Sequence, residues 1–357
     1  MPLVSVVVPT YNRARIIERT IDSILAQTYQ DVEVVIVDDG SSDDTRDCIA
    51  RRYGADPRVR YVHKENGGPA TARNVGFKQA RGEYIALLDS DDTWFPWKLS
   101  LQIRCMERYP EIGMTWTDMQ MIDAEGRVAD PTHLRTMYTN YRLFPTDEIF
   151  PRSVALGEIA PDLADIVGEA RLRIGNIFSK MVMGSLVHTS TVVLRRSRLD
   201  LVGGFNETLR YSGEDYDFHL RTAREGDVAL LDLPAIRYQQ GMPDRLTAKR
   251  YGIHMATNAL RTLEAVLERD RPQIDLPDQM IRRKLAYAHA WVAHEQLDLG
   301  HVREARAHYL ASLRQHLWQP ELLKPITFAA LPLGAGVPLR RWLRSIAVRL
   351  GRNESET

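Results

Sequence analysis

The sequence predicts an α/β fold built on an open, mostly parallel, doubly wound sheet, with a helical appendix at its C-terminal end. Three observations predict it. Over the first ~120 residues, short β-branched runs alternate with segments of helical period. Polar clusters fall at the ends of those runs, where an open parallel sheet binds its ligands. From about residue 250 onward strand character disappears and helical spacing remains.

The elements follow in order. Val4 to Val8 is a β-branched run of the sort buried in a parallel sheet. Asn12 then stands where it can cap a helix whose Ile16, Ile17, Thr20, Ile21, Ile24 and Leu25 share a face. Val32 to Val37 reads as a second strand, Asp43 to Tyr53 as a helix and Arg58 to His63 as a weaker strand. Gly67 to Ala80 is a helix stopped at Gly82, Glu83 to Leu88 a further strand and Pro96 to Arg108 a further helix. Residues 120–180, with prolines at 131, 145, 151 and 161, lose the rhythm and read as an excursion from the sheet. Order returns with a strand at Thr189 to Leu194, and Gly300 marks the bend of a helical hairpin. The expected organisation is a sheet-bearing domain over 1–246, with halves at 1–118 and 119–246, followed by a helical region over 247–357.

Composition narrows the class. With 44% hydrophobic and 26% charged residues in 357, the chain is an ordinary folded protein, and its zero net charge does not point to a nucleic-acid partner. The halves differ: residues 247–357 hold 17 Lys+Arg against 11 Asp+Glu, a net of +6, which leaves −6 for residues 1–246. An acidic front half suits a bound cation and a basic tail an anionic surface. Cys48 and Cys105 have no metal-ligand spacing, which fits a reducing compartment. Met1 to Ser5 leads straight into a strand without a basic n-region or cleavage site, and no run of eighteen apolar residues occurs.

The chemistry gathers at three strand ends: Pro9-Thr10-Tyr11-Asn12-Arg13, Asp38-Asp39-Gly40-Ser41-Ser42-Asp43 and Asp89-Ser90-Asp91-Asp92. One acidic strand end is ordinary helix capping. Three carboxylates within four residues at another repel one another unless a cation sits among them, and hard oxygen ligands select Mg²⁺ or Mn²⁺. Neither a Gly-x-Gly-x-x-Gly nor a P-loop follows the first strand, so a glycine cradle for phosphates is not expected.

Val6-Val7-Val8-Pro9-Thr10-Tyr11-Asn12, Val37-Asp38-Asp39-Gly40-Ser41 and Leu88-Asp89-Ser90-Asp91-Asp92 resemble the signature of family 2 inverting glycosyltransferases, which have the GT-A fold. Asn66-Gly67-Gly68-Pro69-Ala70-Thr71-Ala72-Arg73-Asn74 is similar to a further family segment. Gly203-Gly204-Phe205-Asn206-Glu207 and Gly213-Glu214-Asp215-Tyr216-Asp217 resemble the acceptor-side motifs. The resemblance covers roughly residues 3–240. It implies that Thr10, Tyr11 and Arg13 line a nucleotide pocket and that Asp39 accepts a hydrogen bond from the base. Asp89, Ser90 and Asp91 would hold ribose or metal, with Asp91 and Asp92 as metal ligands, and Arg73 would approach the diphosphate. Asp215 matches the general base, with Glu214 on the acceptor side; Trp94, beside the acidic loop, is a candidate for stacking a sugar there, and Asp217 a cap for a helix at Phe218 to Glu225. Many relatives carry a His where this chain has Gln240, which leaves the third metal ligand open.

The implied partners are a UDP-, dTDP- or GDP-sugar and a glycan or lipid-linked hydroxyl acceptor, with Mn²⁺ or Mg²⁺ as cofactor. In the tail, Trp342, Leu343, Ile346 and Leu350 share a helical face opposite most of Arg340, Arg341, Arg344 and Arg349. That pattern suits peripheral contact of residues 323–350 with anionic lipid on the cytoplasmic face of a membrane, or docking on the enzyme or on a second subunit as a homo-oligomer. A nucleotidyltransferase and a catalytically weak nucleotide-sugar-binding scaffold are the alternative readings.

Overall fold

A computed structural model of the chain describes residues 3–241 and 249–316. It divides into two compact units, residues 1–276 and a second beginning at Pro277. The boundary expected at residue 246 falls inside the first unit, which also holds the Gly252–Asp270 helix.

Eleven strands form one sheet in the first unit. They are β1 (Val4–Thr10), β2 (Val32–Asp38), β3 (Val59–His63), β4 (Tyr84–Leu87), β5 (Thr93–Trp94), β6 (Met114–Ile122), β7 (Val128–Asp130), β8 (Arg152–Ala155), β9 (Arg171–Gly175), β10 (Val193–Arg195) and β11 (Val228–Gln239). Their order is β3-β2-β1-β4-β10-β6-β11-β9-β8, with β5 paired to β11 and β7 to β6. The first four in that order are parallel, and β11 is parallel to β6; β10 runs antiparallel between β4 and β6. Every residue of β1 and β2 is buried, as expected of strands covered on both faces, and their β-branched side chains suit that position. The register pairs Thr10 with Asp38 and Val7 with Leu87, so the chemistry-bearing ends of β1, β2 and β4 come out together at one edge.

Four helices follow the expected order: α1 (Ile17–Leu25), α2 (Thr45–Tyr53), α3 (Pro69–Gln79) and α4 (Lys98–Arg108). α3 lies directly against β1, because a Cβ placed on Gly76 would stand 2.3 Å from Val7 Cγ1. Three expectations are corrected. Asn12 does not cap α1: its backbone is left-handed at φ 54°, its side chain is engaged elsewhere, and Ile16 occupies the cap position without a side-chain bond. The segment 120–180 returns to the sheet as β8 and β9 and does not stay outside it. Thr189 to Thr191 form a tight 3₁₀ turn, so the strand expected at 189–194 shortens to β10.

The second unit holds the expected hairpin, helices Asp278–Asp298 and Val302–Gln315 separated by Gly300 at φ 86°. Ala293, Ala305 and Tyr309 are buried together in it. No described helix is long and apolar enough to cross a membrane. Residues 323–350, expected to touch lipid, lie outside the described residues.

Candidate active site

The ends of β1 and β2 are sewn together. Asn12 N donates to Ser41 Oγ at 2.8 Å and Asn12 Oδ1 accepts from Ser42 N at 2.8 Å, while Arg13 N donates to Thr45 Oγ1 at 2.8 Å. This explains the left-handed backbone of Asn12, a residue that tolerates it. Thr10 is buried with its Oγ1 unpartnered, and Tyr11 is 46% exposed beside it. Asp39 is buried and its carboxylate already serves the loop before α3. Oδ1 accepts from Lys64 Nζ at 2.5 Å and Gly67 N at 3.0 Å, and Oδ2 from Gly68 N at 2.7 Å. A carboxylate accepts about four hydrogen bonds, so these three leave room for one further donor on Oδ2.

The acidic loop after β4 is fixed by its main chain. Thr20 Oγ1, on the buried face of α1, donates to Ser90 O at 3.1 Å and to Asp92 O at 2.9 Å; Arg19 Nη2 reaches Asp91 O at 3.3 Å. The loop's side chains are thereby left available for other work. Asp92 is 1% exposed, and its Oδ1 accepts from Gln239 N at 2.9 Å. Asp89 and Asp91 are partly exposed. Of the two residues read as metal ligands, then, Asp92 is buried on a main-chain partner, and Asp89 with Asp91 is the accessible pair. Burial, then Asp92, then Asp89 push the Asp91 carboxyl up to about 7, partly offset by Arg13. A cation relieves that crowding, so the donor set fits Mg²⁺ or Mn²⁺. Among the described residues no group of three or more His, Cys, Asp or Glu is arranged to hold a metal.

Arg73 joins this loop to the Gly213-Glu214-Asp215 segment. It projects from α3, 5% exposed, and forks: Nη2 donates to Asp89 Oδ1 at 2.7 Å and Nη1 to Glu214 Oε1 at 3.0 Å. Its guanidinium lies 5.1 Å from the centre of the Phe205 ring. Burial raises the Asp89 carboxyl, but Arg73 more than offsets this and holds it below the ordinary carboxylate range. Asn74, the next residue, grips the Gly203-Gly204-Phe205 loop at both polar atoms: Oδ1 accepts from Phe205 N at 2.7 Å and Nδ2 donates to Phe205 O at 2.9 Å.

The Glu214–Arg224 helix starts at the acceptor-side motif, one turn earlier than expected, with Gly213 at φ 88° in its cap position. Asp215 is therefore in the first turn and is no N-cap; its Oδ1 accepts from Tyr216 N at 2.7 Å, and no described residue hydrogen-bonds Oδ2. Asp217 does not cap a helix at Phe218; it pairs with Arg221, whose Nη2 is 2.8 Å away. Two acceptor-side expectations are corrected. Glu214 is buried against Arg73, and Trp94 is 4% exposed, its Nε1 donating to Ser190 O at 2.9 Å and Lys98 Nζ lying 4.0 Å from its ring. Neither presents itself to an acceptor.

Several residues at the site were not singled out by motif. His188 points Nε2 toward Asp92 Oδ2, 3.9 Å away, and its Nδ1 meets Tyr138 OH at 3.2 Å. Gln239 supplies its N–H to Asp92, and its side chain accepts from Arg19 Nη2 at 3.0 Å. Only Thr20 carried a sequence signal, as a polar member of an apolar helix face. Gln240, at the place of the expected His, donates its backbone N–H to Ile122 O at 3.0 Å.

The family model for glycosyl transferase family 2 matches residues 5–157, a span that includes Thr10, Asp39, Arg73 and the acidic loop. A protein of Rickettsia bellii (strain RML369-C) described as an uncharacterized glycosyltransferase is 34% identical over 218 residues, which is 60% of this chain and 30% of that protein. Two solved structures share the fold. S. aureus TarS 1–349 in complex with UDP-GlcNAc aligns with a TM-score of 0.51 and 18% identity over 87% of this chain and 89% of that one. The mannosyltransferase PcManGT of Pyrobaculum calidifontis, in complex with GDP-Man and Mn²⁺, aligns with a TM-score of 0.51 and 22% identity over 96% and 83%. At these identities the likeness is one of fold, and it is the GT-A arrangement expected from the sequence.

Proposed function

We propose that the chain, whose residues 5–157 match the family model for glycosyl transferase family 2, transfers one sugar from a nucleoside-diphosphate sugar to a hydroxyl of a glycan or lipid-linked acceptor, with inversion. The observation that carries this reading is the fork of Arg73, which ties Asp89 of the donor-side loop to Glu214, the neighbour of Asp215. Donor-side and acceptor-side carboxylates are thus held at one place by a single buried cation.

The base of the nucleotide would lie at the β1–β2 edge, where Asp39 Oδ2 has room for one more donor and Thr10 Oγ1 is unpartnered. Tyr11, exposed on the same edge, would cover the base or ribose. Arg13, which already lowers the cost of charging Asp91, would sit beside the diphosphate. Asp91 with Asp89 would hold the divalent cation, which when bound supplies Lewis-acid stabilisation of the leaving diphosphate.

In the transfer, the acceptor oxygen forms a bond to the anomeric carbon as the bond from that carbon to the diphosphate oxygen breaks. The acceptor's proton passes to Asp215 Oδ2, the oxygen with no described hydrogen bond. Oδ1, held by Tyr216 N–H, fixes the direction of the carboxylate. One base suffices, because inversion needs no covalent intermediate. The catalytic domain is assigned to residues 1–246, and residues 323–350 would bring it to an anionic membrane on the cytoplasmic side.

The test is release of nucleoside diphosphate from a panel of UDP-, GDP- and dTDP-sugars with Mn²⁺, alone and with mixed acceptors, alongside thermal shift with each donor. Acceptor-stimulated release from at least one donor is expected. Gln240, where many relatives carry His, favours a second reading, a nucleotide-sugar-binding protein with little turnover. Stabilisation by a donor without any release would support that reading and overturn the first.

A further inference from the structure

Among the described residues two non-glycine positions have positive φ, and one of them is Tyr211 at φ 73°. For an aromatic residue that conformation is strained and persists only where its surroundings enforce it. The enforcing group is Asn258, 6% exposed on the Gly252–Asp270 helix. Its Nδ2 donates to Arg210 O at 3.0 Å and to Ser212 O at 2.7 Å, the carbonyls on either side of Tyr211. Gly213, two positions on, packs close to the same side chain: a Cβ there would be 3.2 Å from Asn258 Cβ. One buried amide is thus devoted to holding a strained tyrosine four positions before Asp215.

What is held is not hidden. Tyr211 remains 42% exposed. Its ring stacks on Tyr251, centroids 5.5 Å apart at 19°, and is tilted against the exposed His254 at 4.7 Å. Three rings therefore form a partly open ledge beside the acceptor-side motif. Core packing does not account for it, because a core tyrosine is covered, and no strain is needed to place one.

We propose that this ledge is an acceptor subsite, on which Tyr211, with Tyr251 and His254, stacks a sugar ring so that one of its hydroxyls reaches Asp215. The assignment rests on the reading of the chain as a glycosyltransferase and names the class of its acceptor, a saccharide with an exposed apolar ring face. An aromatic ring carrying a hydroxyl suits such a ligand, for it offers an apolar surface to the C–H groups and a polar tip to the sugar's rim. His254 adds a second polar edge. An acyl chain would instead call for an aliphatic groove, and the three side chains of the ledge are all rings. The nucleotide is assigned to the other side of the site, at the β1–β2 edge.

The experiment is saturation-transfer NMR on the full chain with methyl glycosides of glucose, galactose, mannose and N-acetylglucosamine, each read with and without UDP or GDP. Saturation on the ring C–H groups of at least one glycoside is expected. It should fall about fivefold or more in Tyr211→Ala and be retained in Tyr211→Phe. His254→Ala should lower it less. Calorimetry of UDP and GDP with Tyr211→Ala should match wild type. Absence of saturation for every glycoside on wild type overturns the subsite. So does unchanged saturation in a folded Tyr211→Ala whose melting temperature has dropped, since the ledge would then be only a latch for the helix. Failure of the wild type to bind any nucleoside diphosphate counts against the transferase reading instead, and the glycoside measurement without nucleotide still decides the ledge.

Discussion

Arg73 Nη1 donates to Glu214 Oε1 at 3.0 Å between residues 141 positions apart in the chain. Both side chains are almost wholly buried, at 6% and 7% exposure, and the second arm of the same guanidinium holds Asp89. A buried charge of this kind is tolerable only while its partners are in place. Removing the cation leaves the buried Glu214 and the partly exposed Asp89 without the guanidinium they share.

Arg73→Ala is therefore expected to cost about 3–5 kcal/mol of unfolding free energy, the usual penalty for breaking a buried pair. Arg73→Lys restores the charge but cannot span both acids with a planar fork, and should fall between. Urea denaturation followed by circular dichroism measures all three proteins. A loss below about 1 kcal/mol in Arg73→Ala, the range of surface pairs, would show that the fork is not what holds the two motifs together.

Asp215→Asn keeps the shape of the side chain and its bond from Tyr216 N–H but cannot take up a proton. Transfer should fall by ~10²–10⁴ while nucleotide affinity barely moves. Helix capping no longer competes as an explanation, because Gly213 occupies the cap. Asp217→Asn, which only weakens the pair with Arg221, is the neighbouring control and should cost less. Steady-state rates with a competent acceptor decide it; near-wild-type turnover by Asp215→Asn would falsify the assignment.

The acidic loop makes a separate prediction. Asp91 is pushed up to about 7 by burial and by Asp92 and Asp89, and a cation removes that penalty. Mn²⁺ or Mg²⁺ should strengthen UDP or GDP binding, and Asp91→Ala should abolish the effect. Titration calorimetry with and without EDTA reads it directly. Equal affinity in both would argue against a metal at this loop.

The acidic runs holding Asp39, Asp89 and Asp91 are legible because the β–α alternation places them at strand ends. Arg73 and Asp215 lie on helices, and only the resemblance to a family motif singles them out in the sequence. What sequence concealed were partners chosen by tertiary packing. The pairing of Asp92 with Gln239 depends on two register shifts in β11, between Leu231 and Pro234 and between Pro234 and Arg237, that no periodicity announces. Glu214 and Trp94 belong to the interior for the same kind of reason: a carboxylate and an aromatic near a polar motif look alike whether they face solvent or the core. β8 and β9 escape the sequence reading because strands of four and five residues, the first directly after Pro151, leave too short a pattern.

His219 links stability to pH. It is fully buried, with Nε2 at 3.2 Å from Thr189 Oγ1 and Nδ1 unpartnered, and burial followed by the charge of Arg73 lowers it to about 3. The native state thus stays neutral there while the unfolded chain takes up a proton near 6.5. Its contribution is complete above 6.5 and is lost as pH falls toward 3. Between pH 6.5 and 5.0 the wild type should lose on the order of 1–2 kcal/mol more than His219→Gln, which cannot titrate. Urea midpoints at the two pH values give the difference, and parallel curves would place the proton elsewhere.

Gly76 gives the site a dependence on a residue that touches none of its chemistry. It stands three positions after Arg73 on α3, at the point where that helix meets Val7 of β1 with no space for a Cβ. The thickness of one methyl group therefore sets how high α3 rides above the sheet, and with it the altitude of the guanidinium over Asp89 and Glu214. A bare backbone position thus governs the seating of a side chain one turn away, although it touches neither of the carboxylates that side chain joins.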